Sequence, residues 1–265
     1  MHGIALRVKY FIFSFFMVIH FVSLGQKYEL GVNLGTSNYI GDLSPRLALV
    51  NMNGAIGFFA KKNISKFWAF RVNYNYARIG SADSNFTYNP LRNLSFVNNL
   101  NEFAGIFEFN YRPYAVGSLP NKATFYVLFG LGVTLHNPKS SYQGISYNLR
   151  ELTTEGQDKP YPKMAIAMPF GIGYKWDVTS TFVVSAEVGF RWAFTDYLDD
   201  VSGYYPELSG KLPIAAHMSD RSVERLDASM SSIQKQRGDA NPYDWYVISG
   251  IHFSYRLKPS PCYHF

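Results

Sequence analysis

Only one of the 265 residues is a cysteine, Cys262, so no disulfide can form within the chain. It stands alone beyond the last patterned segment, with no metal-ligand or nucleophile spacing around it, and reads as a tail residue. Charge is also scarce, at 17% of residues, and the formal balance is only +6. The basic residues do not gather with aromatics on one stripe, which argues against nucleic acid as a partner and leaves a weak attraction to anionic lipid headgroups. Long apolar runs are missing after the first twenty-five residues, so no segment there can cross a bilayer as a helix. Internal repeats and low-complexity stretches are absent too.

The first twenty-five residues have the three parts of a secretory signal. Arg7 and Lys9 give a positive start, Tyr10 to Val22 an apolar centre, and Ser23-Leu24-Gly25 a small-residue cleavage region. The apolar centre is too short for a comfortable membrane anchor, and no Cys follows it to accept a lipid. The expectation is a signal peptide over 1–25 and an exported domain over 26–265. Removing Arg7 and Lys9 lowers the formal charge of that domain to about +4.

What remains is rich in Phe (22), Tyr (20) and Gly (21), the residues of strands with a lipid-facing side and a crowded inner side. Apolar residues recur at a period of two. From Trp68 to Ala77, Trp68, Phe70, Val72, Tyr74 and Tyr76 share one face, while Ala69, Arg71, Asn73, Asn75 and Ala77 share the other. Eight such segments are expected, near 27–36, 51–61, 67–79, 100–112, 124–136, 163–176, 181–193 and 244–257. Every odd connection between them is longer than every even one. Short periplasmic turns and long outer loops produce that parity when both termini lie in the periplasm. The fold class is therefore all-β: an eight-stranded antiparallel up-and-down transmembrane barrel in the outer membrane, monomeric and surrounded by lipid.

The outward sets include Phe103, Phe107 and Phe109 on the fourth strand, Phe125 to Leu135 in alternation on the fifth, and Val247, Ile251 and Phe253 on the eighth. Strand direction puts Tyr28, Trp68, Tyr111, Trp176, Phe182 and Tyr255 at the periplasmic rim, with Tyr76, Trp192 and Trp245 at the outer rim. Pro169 lies within a strand and predicts a bulge or bend. The inward faces carry Glu29, Arg71, Glu102, Glu108, Lys175, Glu187, Arg191 and Arg256. Four are acidic and four basic, and an eight-stranded barrel is only wide enough for side chains, so they should neutralise one another as a plug. A proton or ion path is the functional alternative. In the last loop, Ser219 to Gly238, with Val223, Leu226 and Met230, predicts a short amphipathic helix.

Near the loops stand Tyr39-Ile40-Gly41-Asp42-Leu43, Arg92-Asn93-Leu94-Ser95-Phe96, Thr154-Glu155-Gly156-Gln157 and Asp196-Tyr197-Leu198-Asp199-Asp200-Val201-Ser202, with Arg237-Gly238 before the last strand and an ending from Cys262 to Phe265. In this order they resemble the PorG-like outer-membrane proteins of Bacteroidota, a family long filed as a domain of unknown function. The resemblance covers essentially the whole exported domain. It implies a non-enzymatic component of the type IX secretion machinery that ties a periplasmic ring, made by the lipoprotein PorK and its companion PorN, to the outer membrane. The periplasmic turn from Pro113 to Ala123 would be the contact. No cofactor is implied, and no residue-level role comes with the motifs.

Other chemistries were open to the same residues. Asp196, Asp199 and Asp200 suggest a calcium site, although without the spacing of an EF-hand loop. His136 with Ser140, Ser141 and Glu155 could offer a base, nucleophiles and an orienting acid for lipid-acyl chemistry. The long outer loops also permit an orphan structural, ligand-binding or adhesion barrel.

Overall fold

The computed structural model describes residues 28–114, 122–207, 209–226, 235–239 and 243–257. The expected signal segment, the tail with Cys262, Met230 and most of the turn before Ala123 lie outside these residues. Ten strands follow in chain order: β1 (Tyr28–Ile40), β2 (Asn53–Asn63), β3 (Trp68–Ala82), β4 (Ser95–Asn110), β5 (Ala123–Leu135), β6 (Lys139–Tyr142), β7 (Ile145–Asn148), β8 (Met164–Asp177), β9 (Phe182–Ala193) and β10 (Trp245–Arg256). All pairings are antiparallel. Eight strands run in the order β3-β2-β1-β10-β9-β8-β5-β4, and a β3–β4 ladder closes the ring. Closure leaves no edge strand around the wall, as a lipid environment requires.

Alternation sets the two surfaces. On β5, Phe125, Val127, Phe129, Leu131 and Leu135 are exposed, while Thr124, Tyr126, Leu128 and Thr134 are buried. On β8, exposed Ile166, Phe170, Ile172, Tyr174 and Trp176 alternate with buried Ala165, Ala167, Lys175 and Asp177. Cross-strand aromatic contacts knit the belt: Phe70–Phe107 and Tyr74–Phe103 have ring centroids 4.9 Å apart, and Trp192 stacks on Trp245 at 5.8 Å. Val247 departs from the expected outward set, being only 4% exposed. It pairs with Asn38, an outward residue whose side-chain amide donates to the Ala48 carbonyl, so the first outer loop lies over the wall there.

Three strands run three to five residues beyond their expected limits, all at the outer end. β1 runs on to Ile40, β3 to Ala82, and β4 starts at Ser95. There the outward side no longer meets hydrocarbon, so the apolar alternation that marks a membrane strand fades while the ladder continues. The connection parity weakens in consequence: the periplasmic segment 111–122 is as long as the outer segments 41–52 and 83–94. Pro169 inserts no extra residue. The β5–β8 ladder lapses between Phe129↔Phe170 and Gly132↔Ala167 and resumes in the same register, a gap on the side of the missing N–H rather than a bulge.

The third outer loop carries a hairpin, β6–β7, and a single helical turn, α1 (Leu149–Leu152). In the fourth, the helix falls earlier than expected: α2 spans Pro213–Ser219, with Pro213 at its first turn, and Ser222–Glu224 form only a 3-10 turn. Ser219 therefore ends a helix, and its hydroxyl donates back to the Ala215 carbonyl.

Glycines pair across the wall where backbones approach closely. Gly35 faces Gly250, and a β-carbon at Gly35 would sit 2.0 Å from the Ser249 carbonyl oxygen. Replacing Gly35→Val should destabilise the barrel by about 1–3 kcal/mol, the usual cost of overpacking. The check is the temperature at which the compact folded species is lost on semi-native gels, which should fall; an unchanged temperature would refute the close approach.

Candidate functional site: a charged lumen under a loop cap

The barrel interior is layered. At the periplasmic end Glu29 accepts from Lys61 at 2.8 Å and from Arg256 at 3.3 Å, and Arg256 reaches Asp177 at 2.5 Å. Tyr114, from the periplasmic turn, folds into this end and is 2% exposed. Its hydroxyl contacts Asp177 and accepts from Arg256 at 2.6 Å, and its ring lies 5.4 Å from the Lys175 ammonium. In the middle layer Glu108 gathers three cations: Lys175 at 2.6 Å, Arg71 at 3.2 Å and Lys61 at 3.8 Å. Arg71 also donates through one nitrogen to both oxygens of Glu187, at 2.8 and 2.9 Å, and Tyr126 donates to Glu187 at 2.8 Å. Higher up, Glu102 accepts from Asn75 at 2.6 Å, Tyr246 at 2.7 Å and Arg191 at 3.1 Å.

Six of the eight inward charges, Glu29, Arg71, Glu108, Lys175, Glu187 and Arg256, thus share one network, and Glu102 and Arg191 pair with each other above it. Lys61 and Asp177 join the larger network, and across the lumen the acids (Glu29, Glu102, Glu108, Asp177, Glu187) match the bases (Lys61, Arg71, Lys175, Arg191, Arg256) in number. The signal for Lys61 was present in the alternation of Gly57, Phe59 and Lys61 on the buried side of β2. Each partner is almost wholly out of water, where an unmatched charge would be costly.

Above Glu102 the character of the interior changes. Tyr39, Leu43, Ile79, Phe96, Leu100, Leu149, Leu198, Val201, Met218 and Tyr246 form an apolar core inside the outer extension of the barrel. Loops fold down into the mouth, and two buried arginines bind them together. Arg92 makes a two-point pair with Asp83 at 2.7 and 2.9 Å and donates to the carbonyls of Arg237 and Asp42 at 2.6 and 2.9 Å. Arg237 pairs with Glu155 at 2.9 Å and donates to the Asp200 carbonyl at 2.6 Å. Glu155 in turn accepts from the backbone N–H groups of Ser202 and Gly203. Asp200 adopts a left-handed backbone, φ 73°, which Asp tolerates better than most residues. Gly238 lies so close to Ser202 that a β-carbon would meet its carbonyl oxygen at 2.6 Å.

Segments quoted for the family resemblance therefore meet in one place. Tyr39, Gly41, Asp42, Arg92, Phe96, Glu155, Asp199, Asp200, Ser202 and Arg237-Gly238 all belong to the cap or its core. Ser95 is at its margin, bound to Ser140 and Arg221. Gly156 supplies a positive-φ turn, Gln157 accepts from the Glu155 N–H at 3.2 Å, and Tyr197 stacks on Tyr161 at 4.4 Å. Asp83 was missed by sequence reasoning, because a lone acid in a short loop gives no hint of a partner at Arg92.

The three candidate metal ligands do not converge. Asp199 meets Tyr39 and the Val201 N–H; Asp200 accepts from Thr154 at 2.5 Å and Tyr161 at 2.8 Å; Asp196 lies apart, bonded to Ser202. Among the described residues no group of three His, Cys, Asp or Glu side chains is arranged to hold a metal ion. The candidate catalytic set is likewise dispersed. His136 is buried against Tyr161 and bonded to backbone at Pro162 and Tyr197, Glu155 is engaged by Arg237, and Ser140 by Ser95 and Arg221. Burial, aided by Arg150, pulls the His136 imidazole down to about 4, so it is neutral at physiological pH.

Acids in the cap hold protons more tightly than usual. The Tyr39 phenol oxygen lies 2.7 Å from both Asp199 and Asp244, yet a phenol has one proton to give, so one of the two acids must bring its own. Burial pushes both carboxyls well up; the charges of Asp244 and Asp42 add to it at Asp199, and those of Asp196 and Asp42 at Asp244. Burial also raises Asp42 to about 7, opposed by the backbone N–H of Asp239 and by Arg92 while the charges of Asp239 and Asp196 add to it, and raises Asp196 to about 7. Asp200 reaches about 6 through burial despite Arg237, Thr154 and Tyr161.

The sequence belongs to a family described as a domain of unknown function, DUF6089, whose model matches residues 8–210. No curated protein matches it. Among solved structures, Ail of Yersinia pestis in complex with the heparin analogue sucrose octasulfate is similar at 11% identity and a TM-score of 0.42, over 88% of this chain and 99% of that one. Neisserial surface protein A follows at 8% identity and 0.43, over 88% and 97%. OprG of Pseudomonas aeruginosa matches at 6% identity and 0.38, over 88% and 96%. None of these likenesses bears on what the DUF6089 barrel does.

Two outcomes test this site. Glu108→Gln leaves three buried cations short of an anion and should lower unfolding stability in urea by about 3–5 kcal/mol, the range for breaking a buried pair; a change below about 1 kcal/mol would mean that the lumen is hydrated. For the cap, folded-state values above the unfolded value of about 4 mean that the native form binds more protons between them. The contribution is complete below about pH 4 and is lost as pH rises through 6 to 7. Hydrogen exchange, corrected for intrinsic rate, should show a smaller opening free energy for residues 194–207 at pH 8 than at pH 5, and Asp42→Asn should flatten that difference.

Proposed function

We propose that this barrel is a non-enzymatic outer-membrane component of the type IX secretion machinery, docking a periplasmic ring of PorK- and PorN-like proteins to the membrane. The observation that carries a positioning role is the filled interior: paired charges occupy the lumen, Tyr114 folds into the periplasmic end, and the loop cap occupies the outer mouth. Such an object offers stiffness and surfaces, with binding by exterior contact as its mechanism. The link to secretion rests on the resemblance to PorG-like proteins, whose quoted segments are here the ones that build the cap. Export through a cleaved signal would deliver the barrel to the outer membrane.

A tagged copy purified from its native membrane in gentle detergent should co-elute with the ring lipoprotein and its companion, identified by mass spectrometry. Elution as a lone barrel from cells that contain the assembled ring would overturn the docking role and shift weight to an orphan structural or adhesion barrel.

A further inference from the structure

At the outer end, β3 and β4 rise above the barrel as a two-stranded ribbon, and β6 joins β4 through Val97↔Lys139. A cavity of about 350 Å³ opens between them. It lies on the outward side of the wall. Arg78 continues the exposed row that begins at Trp68 and passes through Val72 and Tyr76; Val97 and Asn99 continue the row of Phe103 and Phe107. The cavity therefore sits directly above the lipid-facing belt, at headgroup height.

Its lining is rich in donors and has no carboxylate. Arg78 and Lys139 both border it, and neither side chain makes an ion pair or hydrogen bond among the described residues. This contrasts with the lumen and the cap, where buried cations have anionic partners. Ser95 and Ser140 stand 3.2 Å apart, and Arg221 donates to both oxygens at 3.0 Å. One of the two hydroxyl protons can bridge the pair; the other is left for an acceptor outside it. Two unpaired cations held beside hydroxyls and the Asn99 amide match a phosphate, which accepts several charge-assisted bonds at once.

We propose that this cavity binds the phosphate of an outer-leaflet lipid headgroup, with the acyl chains running down past Tyr76 and Phe103. Arg78 and Lys139 supply the charge, and Arg221 orients the serine hydroxyls from behind. A free phosphate offers the same anion, but the position above an apolar wall favours one attached to chains. Bound lipid would fix the depth of the barrel on one side and order the β6–β7 hairpin.

The full-length protein is purified in detergent, and native mass spectrometry counts molecules of bisphosphorylated lipid A, the same lipid with its phosphates removed, or phosphatidylcholine kept after micelle stripping. Wild type should retain bisphosphorylated lipid A preferentially. Arg78→Gln/Lys139→Gln should lose that preference, with retention falling by about tenfold. A charge-matched Lys159→Gln/Lys163→Gln control on exposed outer-loop residues should keep it. Both variants should retain the heat-dependent gel shift of a folded barrel. Equal retention by the Arg78/Lys139 variant, equal loss in the control, or no preference for phosphorylated lipid in the wild type would overturn the site. Displacement of the lipid by millimolar inorganic phosphate would assign it to a free anion instead.

Discussion

Pairing of charge inside a closed wall is the constraint on which the rest of this structure depends. An eight-stranded ring encloses a space that side chains must fill, and the lipid outside takes every apolar residue that alternation sends outward. Most inward residues are polar, and the apolar ones in the membrane zone form only a small cluster of Ala104, Ile106, Tyr126 and Leu128, so a core of the usual kind is unavailable over most of the lumen. Glu108 shows how the problem is met: one carboxylate from β4 reaches Lys61 of β2, Arg71 of β3 and Lys175 of β8, tying opposite sides of the wall together. Such links stabilise little when compared with an apolar alternative, but they strongly penalise any other register, because a one-residue slip would send these charges into lipid.

Above the bilayer the constraint relaxes, and the composition of the interior follows. Where the outward face meets water, apolar residues can turn inward, and Phe96, Ile79, Leu100 and Ile248 do so around the loop residues Leu43, Leu149, Leu198 and Met218. The barrel therefore carries a soluble-type core at its outer end and a charged core within the membrane. Arg92 and Arg237 join the two styles. Each uses its planar group to bind both an acid and backbone carbonyls, which suits loops whose own peptide groups lack ladder partners.

This division explains what could be read from the sequence. In the membrane zone each residue answers to a local rule, lipid outside and polar inside, so Trp68 to Ala77 declares its faces and Glu29, Arg71 or Glu187 can be placed inward by parity. At the outer extensions that rule lapses, and the limits at Ile40, Ala82 and Ser95 were misjudged for that reason. Lys61 escaped because it stands beside Lys62 near a strand end, where neighbouring charges hide the alternation. The cap was legible as a set of unusual tetrapeptides but not as an object, since Arg92 meets Asp42 and Arg237 only through the closure of the whole ring. Asp199 and Asp200 looked like ligands in one dimension; in three they face a tyrosine on β1 and a threonine and tyrosine in another loop.

The same geometry limits where a periplasmic partner can dock. Two of the three periplasmic connections, 64–67 and 178–181, are tight turns occupied by their own strand ends: Ile64 and Ser65 both donate to the Trp68 carbonyl, and Val178 and Thr179 to that of Phe182. The third, 111–122, is the longest of the three. Its first residues are already committed, because Tyr114 donates its N–H to Lys66 and sends its ring into the lumen against Lys175 and Arg256. A ring protein that gripped this segment would therefore pull on Tyr114, and through it on Asp177, Arg256 and Glu29. A pull applied there would reach β8, β10 and β1 through those residues, which is what the proposed docking role would require.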